Sequence, residues 1–207
     1  MTDEFRRAVR DGYDAIAPFY SDHRSAVGDE QVLLDEFCDM VRDGSTVLDA
    51  GCGEGTPIAA RLVERFDTVG LDISRVQVER ASRNVSDAHF LCGDLTVLPF
   101  EPDTFGGIVC SHAVIHVPRE EHVAVYEEFA RVLEPGGSLL VTLGSGAWEG
   151  TNPDWIDSGT EMRWSFYDPD VECELLEAAG FVVETRTTIA DEMGDGAFEY
   201  VLARLDG

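Results

Sequence analysis

Lysine is absent. Every one of the 15 basic residues in this 207-residue chain is arginine, against 41 acidic residues, for a formal net charge of −26. A surface this short of cations cannot neutralise a phosphate backbone, which excludes DNA and RNA as the main partner. The missing lysine also removes the P-loop, whose glycine turn must end in Gly-Lys-Ser/Thr. No run of about 18 apolar residues occurs, so the pattern of a membrane-spanning helix is missing as well. The opening stretch MTDEFRRAVRDGYDAIAPFY is charged throughout and holds no apolar signal core. The expectation is a soluble, cytoplasmic protein that is neither secreted nor embedded in a membrane. Cysteine is sparse. Cys38, Cys52, Cys92, Cys110 and Cys173 make an odd count with no C-x-x-C pair and no zinc spacing, so reduced and mostly buried thiols are expected.

What is present is enough for a core. Hydrophobic residues make up 44% of the chain and aromatics 9%, which suits one domain rather than a disordered segment. The acidity has a physical consequence: so large a charge repels itself in dilute buffer, whereas at 1 M salt the Debye length shrinks to about 3 Å. Acidity without lysine resembles the composition of proteins from salt-accumulating, halophilic cells. Arginine, more weakly hydrated than lysine and able to pair carboxylates through two bonds, suits such a surface.

Short β-branched runs alternate with helical patterns. Strands are expected at Thr46 to Ala50, Thr68 to Asp72, His89 to Cys92, Gly107 to Ser111 and Ser138 to Leu143. Helices are expected at Pro57 to Arg65, from a Ser74 cap to about Asn84, at Arg119 to Leu133 where Pro135-Gly136-Gly137 stops the chain, and at Pro169 to Ala179. Phe181 to Thr188 and Ala197 to Leu205 read as a closing hairpin. Near-continuous apolar strands between helices imply an α/β fold, a mostly parallel sheet covered on both faces with an antiparallel member at one edge. Two helical segments, 3–17 and 29–42, precede the sheet and are expected to cover its ligand side.

The first strand runs into VLDAGCGEGTP, with glycines at 51, 53 and 55 and acids at 49 and 54. Ligands of open parallel sheets bind at such carboxyl ends. The dinucleotide fingerprint G-x-G-x-x-G needs glycine at 56, where Thr56 stands, so neither phosphate motif is met. Asp49 and Glu54 would repel a phosphate as well. Asp72, closing VGLD, is placed to accept from ribose hydroxyls, and Asp94 in CGDLTVLPF from an adenine amino group. Three strand ends thus offer acidic acceptors around one glycine loop, which suits a nucleoside without phosphate that carries positive charge.

VLDAGCGEGTP, VGLDIS, CGDLTVLPF, FGGIVCSHAVIHVP and LEPGGSLLV, in this order, resemble the successive motifs of class I S-adenosylmethionine-dependent methyltransferases of the small-molecule type. The resemblance covers roughly residues 13–205. It implies a Rossmann-like three-layer sandwich whose seven-stranded, mostly parallel sheet has its last strand antiparallel, with helices added at the N-terminus. The cofactor it implies is S-adenosylmethionine, which brings an ammonium, a carboxylate and a sulfonium but no phosphate. By the same resemblance Asp49, Gly51, Cys52 and Gly53 match the methionine-binding loop, and Asp72 matches the ribose acceptor with Ile73 packing on adenine. Asp94 and Leu95 match the adenine contacts, and Ser111 the backbone position facing the cofactor. The segment YDAIAPFYSDH resembles the one placed over the cofactor, with Tyr20 preferred over Tyr13 as the aromatic near the sulfonium.

In-line methyl transfer asks mainly for alignment and exclusion of water, and for a base only when the acceptor must lose a proton. His112 and His116 in SHAVIHVP are the candidates. Their spacing holds zinc only on a helix, and no Glu follows the first, so no metal is expected. His116 matches a histidine that often precedes Val-Pro in the family and is the candidate base, with packing or capping as the plainer role. Residues 144–168 hold all three tryptophans, and Trp148, Met162 and Trp164 are the candidate substrate wall, for an apolar or planar small molecule. Along one domain, 1–45 reads as a helical cap, 46–143 as the cofactor-binding core, 144–168 as a substrate-side insertion and 169–207 as a helix with the closing hairpin. The leading expectation is a methyltransferase acting on a small molecule. A non-catalytic binder of the same cofactor, and less so an NAD-linked oxidoreductase, stay open. The acceptor and the oligomeric state do not follow from these residues.

Overall fold

The computed structural model describes residues 2–20, 29–191 and 196–207, except for the side chains of residues 2 and 18–20. Seven strands form one sheet in the order β3-β2-β1-β4-β5-β9-β8. They are β1 (Thr46–Ala50), β2 (Asp67–Asp72), β3 (His89–Cys92), β4 (Phe105–Cys110), β5 (Leu133–Gly144), β8 (Phe181–Ala190) and β9 (Ala197–Leu205). Pairings from β3 through β5 are parallel, while β9 runs antiparallel to β5 and to β8. This is the expected Rossmann-like sheet with its last strand reversed. The order turns at β1, so the ends of β1 and β4 diverge into neighbouring connections and leave a crevice there.

Alternate residues of the central strands point to opposite faces, and each face is apolar. Leu48, Ile108, Leu139 and Val201 pack beneath α5 (His122–Val132) and α6 (Pro169–Ala178). Val47, Val109, Leu140 and Leu202 pack beneath α2 (Asp29–Met40) and α3 (Ile58–Leu62). Helix α4 (Arg75–Asn84) lies along β2 and β3, with Ser74 at its cap accepting from the Gln77 N–H at 3.1 Å. Helix α2 therefore covers a sheet face, not the ligand side, because Phe37 and Val41 fill the space left by the missing side chain of Gly107. Among the described residues, α1 (Thr2–Tyr20) is the helix that crosses the strand ends.

Three local differences from the sequence pattern have physical reasons. Helix α5 stops at Val132, before the Pro-Gly-Gly turn, because Leu133 already pairs with Phe105 at the start of β4 and is fully buried. Pro135-Gly136-Gly137 becomes an irregularity inside β5, with Gly136 at φ +77. The 144–168 stretch folds into a second, two-stranded sheet of β6 (Trp148–Asn152) and β7 (Met162–Phe166). It packs under α1 through a small core of Val9, Ile16 and Met162.

A buried cluster fixes the segment after β4. His122 Nδ1 donates to Glu172 at 2.8 Å, its Nε2 meets the Val117 carbonyl at 3.1 Å, and the Tyr126 hydroxyl donates to the same carboxylate at 2.7 Å. Burial pushes the Glu172 carboxyl up, yet the bonds from His122, Tyr126 and the Tyr167 N–H outweigh it and hold the group below the usual range. Helices α5 and α6 and the loop bearing His116 are thereby tied together. Among the described residues, no helix is long and apolar enough to cross a membrane, and no group of three or more His, Cys, Asp or Glu gathers as metal ligands would.

Candidate active site

The glycine loop leaves β1 and folds back onto β2. The Gly51 and Cys52 N–H groups both donate to the Leu71 carbonyl, at 2.7 and 3.0 Å. Gly51 has φ +84, and a Cβ there would stand 2.2 Å from the Cβ of Ala113, so glycine is required by backbone and by space together. Gly53 has φ +50, with nothing within 4 Å of where its Cβ would be. The bare main chain there faces open cavity.

That cavity collects residues from every neighbouring strand end. Asp49, Gly51, Cys52, Gly53, Asp72 and Ile73 line its floor, and Asp94, Leu95 and Ser111 its far side. All the sequence candidates from these loops meet at one place. Helix α1 roofs it with Arg6, Val9 and Tyr13, while His112, Ala113, His116 and Val117 close the remaining wall. Tyr20 ends α1, and its side chain lies outside the described residues.

The acids are set for a ligand that brings hydroxyls or positive charge. Asp72 accepts from the Gly53 N–H at 2.9 Å and the Ser74 N–H at 2.8 Å. Burial nonetheless pushes its carboxyl up to about 6, against those two bonds and with help from Asp14. Asp49 is pushed to about 8, first by burial and then by the neighbouring Asp72, with a backbone bond at Ala59 pulling the other way. Its Oδ2 is buried without a hydrogen-bond partner. A buried acceptor of this kind is costly unless something fills it. Glu54, by contrast, is occupied: Arg80 donates to it twice, at 2.6 and 3.0 Å.

On the roof side Tyr13 and His116 form a pair. The His116 Nδ1 lies 2.7 Å from the Arg163 carbonyl, which only accepts, so that nitrogen carries the proton. In the neutral ring Nε2 is then the acceptor, 3.0 Å from the Tyr13 hydroxyl. Trp155 and Trp164 back the two rings, Trp155 edge-on to Tyr13 at 5.8 Å and Trp164 tilted on His116 at 5.2 Å. The tryptophan-rich segment does not itself line the cavity. Met162 is fully buried beside Val9 and Ile16, Trp164 stands behind His116, and Trp148 is 45% exposed on the outer face. The hairpin of β6 and β7 turns these residues toward α1 and solvent, leaving Tyr13, His112 and His116 as the aromatic lining among the described residues.

Arg6 and Tyr13 are the lining residues that sequence patterning underrated. Arg6 Nε lies 3.0 Å from Asp94 Oδ2, and its terminal nitrogen donates to Glu121 at 2.5 Å and Thr96 at 3.1 Å. Arg6 and Tyr13 stand seven apart on α1, two turns along one helical face, which is the signal that could have paired them.

A carboxylate rim, a glycine floor open at Gly53 and an orphaned acceptor at Asp49 fit a phosphate-free, cationic nucleoside. The sheet order and the site at the ends of β1, β2 and β4 have the arrangement of the class I S-adenosylmethionine-dependent methyltransferase fold. Residues 47–137 match the family model described as a methyltransferase domain. Among curated proteins, the chain is 34% identical over 179 residues to a sterol 24-C-methyltransferase of Aspergillus fumigatus, covering 79% of this chain and 46% of that one. The chain spans about half the length of the curated relatives it matches. Among solved structures, a SAM-dependent methyltransferase of Methanosarcina mazei aligns with TM-score 0.73 at 17% identity, over 83% of this chain and 97% of that one. The [4+2]-cyclase SpnF aligns with TM-score 0.74 at 19% identity, over 95% and 94%. These last two likenesses establish the fold alone.

Proposed function

We propose that this chain transfers the methyl group of S-adenosylmethionine to a small-molecule acceptor by in-line displacement. The carrying observation is a cavity in which Asp49, Gly53, Asp72 and Asp94 line one side and the Tyr13–His116 pair another. The relatives, named as methyltransferases of sterols, support a small, largely apolar acceptor. When bound, the cofactor supplies a methyl group already activated on a sulfonium. The residues of this chain do the rest. The Asp72 carboxylate accepts from ribose hydroxyls. Asp49 offers its unfilled oxygen to the ammonium, and ionises as it does so. Asp94 and Leu95 hold the adenine, with Ile73 packed on it. The backbone at Gly51 and Gly53 lets the methionine moiety lie close, and Ser111 presents its main chain to it.

Helix α1 excludes water, which strengthens each of these interactions. A sulfonium held under α1 would be favoured by the Tyr13 ring through the cation–π attraction. His116 Nε2 takes the proton that the acceptor releases, directly or through the Tyr13 hydroxyl, and Arg163 holds the ring in the tautomer that can do so. This reading favours an acceptor that methylates at a protic group. The test is transfer of labelled methyl from S-adenosylmethionine into a metabolite extract. A labelled small molecule that disappears with Asp72→Ala supports transfer. Cofactor binding without labelled product across diverse extracts would instead indicate a binding protein.

A further inference from the structure

Among the described residues, the cavity lining is short of cations. It holds four carboxylates, Asp49, Glu54, Asp72 and Asp94, against one guanidinium, Arg6, and two imidazoles, His112 and His116. The cofactor assigned above brings a carboxylate of its own at the methionine end, and burying it beside Asp49 without a positive partner is costly. Arg6 is at the other end, bound to Asp94 and Glu121. His116 holds its Nδ1 proton on the Arg163 carbonyl and turns Nε2 to Tyr13.

His112 is held differently. The Tyr200 hydroxyl donates to Glu30 Oε1. A phenol has one hydrogen, so its oxygen then accepts from His112 Nε2, 2.6 Å away, and that nitrogen carries a proton. Glu30 Oε1 also lies 3.4 Å from Nε2. Among the described residues, the titratable groups against the ring are Glu30 from α2 and Tyr200 from β9. Phe198 adds only an apolar edge, 4.6 Å between centroids. A carboxylate reached through one hydroxyl favours the charged ring. The backbone carries a cost at this residue: His112 has φ +52, a conformation side chains rarely adopt, directly after Ser111 and beside the Ala113 that Gly51 touches. Strain, a buried relay from two other elements and a place on the cavity wall coincide at one side chain.

We infer that His112, protonated through the relay from Tyr200 to Glu30, is the counter-cation for the carboxylate of the cofactor. The inference rests on the cofactor assignment above. It makes α2 and β9, which do not themselves line the cavity, part of cofactor recognition.

Two probes separate the outcomes by calorimetry. S-adenosylhomocysteine carries the amino-acid carboxylate, whereas 5′-methylthioadenosine keeps the nucleoside thioether and lacks it. His112→Asn suits the backbone, since Asn tolerates positive φ, and Tyr200→Phe removes the relay while keeping the ring. Both variants should weaken S-adenosylhomocysteine about ten- to a hundredfold and leave 5′-methylthioadenosine within about twofold. The advantage of wild type over His112→Asn for S-adenosylhomocysteine should shrink as rising pH neutralises the ring, whatever the buried acids contribute to both proteins alike. Equal losses for both probes, or unchanged affinity for S-adenosylhomocysteine in His112→Asn, would overturn the inference while leaving the cofactor reading intact. A wild type that binds neither probe overturns both. Melting temperatures of the variants check that binding is lost without the fold.

Discussion

Gly51 is where one methyl group separates a working loop from a broken one. With φ +84 and a Cβ position 2.2 Å from Ala113, Gly51→Ala adds backbone strain to a clash. The expected loss is about 2–5 kcal/mol of stability, read by denaturant unfolding. Gly53→Ala meets open space instead, so its cost should fall more on ligand affinity than on the clash. Asp72→Ala removes the acceptor proposed for the ribose and should weaken the cofactor about ten- to a hundredfold in calorimetry with the fold retained. An unchanged dissociation constant removes that role from Asp72. The buried acids also set a pH dependence. Asp49 and Asp72 are raised in the folded chain, to about 8 and about 6, from an ordinary 3.8. Their contribution to stability is therefore full at acid pH and is lost as pH rises from about 4 through these values. A cationic ligand favours the ionised acids and reverses that loss. Thermal stabilisation by S-adenosylmethionine should grow between pH 5.5 and 8, and Asp49→Asn should flatten the growth.

Helix α1 is tied to three separate strand-end loops. Arg6 binds Asp94 after β3, Tyr13 binds His116 after β4, and Asp14 accepts from Ser74 Oγ at 2.5 Å and from the Val76 N–H at 3.4 Å after β2. Ser74 also donates its N–H to Asp72, so the tie at Asp14 ends on the acid proposed to accept from the ribose. Exchange of a ligand beneath α1 requires these ties to loosen. Release of S-adenosylhomocysteine from the Arg6→Ala, Asp14→Ala double variant should be about tenfold faster in stopped flow than from wild type. Equal rates would mean that α1 does not gate the cavity. At this scale the sequence was uneven as a guide. Strands β1 and β3 stand where their β-branched and apolar runs placed them, and Ser74 caps α4 as its position suggested, because local chemistry decides those features. The hairpin of β6 and β7 was opaque. WEGTN and MRWSF lack clean alternation, and Met162 of the second strand packs against Val9 and Ile16 of α1, far away in sequence. The role of Tyr13 was obscured for the same reason, since its partner His116 is 103 residues distant. The destination of α2 depended on glycines in β4 that make room for Phe37 and Val41, which periodicity along α2 does not reveal.

Across the whole molecule the arginines are spread thin among acids. Arg65 pairs with Asp39 and Asp43, Arg61 with Asp35 and Glu64, and Arg186 with Asp170 and Glu199, mostly at the surface. Exposed pairs of this kind contribute little singly and do not offset a net charge of −26. The folded state should therefore depend on screening. Circular dichroism should show structure lost on dilution from about 2 M to about 0.1 M salt, and a chain equally stable in both would count against the salt-adapted reading of its composition. The site is less exposed to this effect, since Asp49, Glu54 and Asp72 are buried and bulk ions screen buried groups weakly. One measurement reaches the central claim, a cavity shaped for a cationic nucleoside without phosphate. In molar salt at pH 8, calorimetric titration should give saturable one-to-one binding of S-adenosylmethionine and no heat from NAD. Binding of NAD in its place, or no binding of either, would contradict the account.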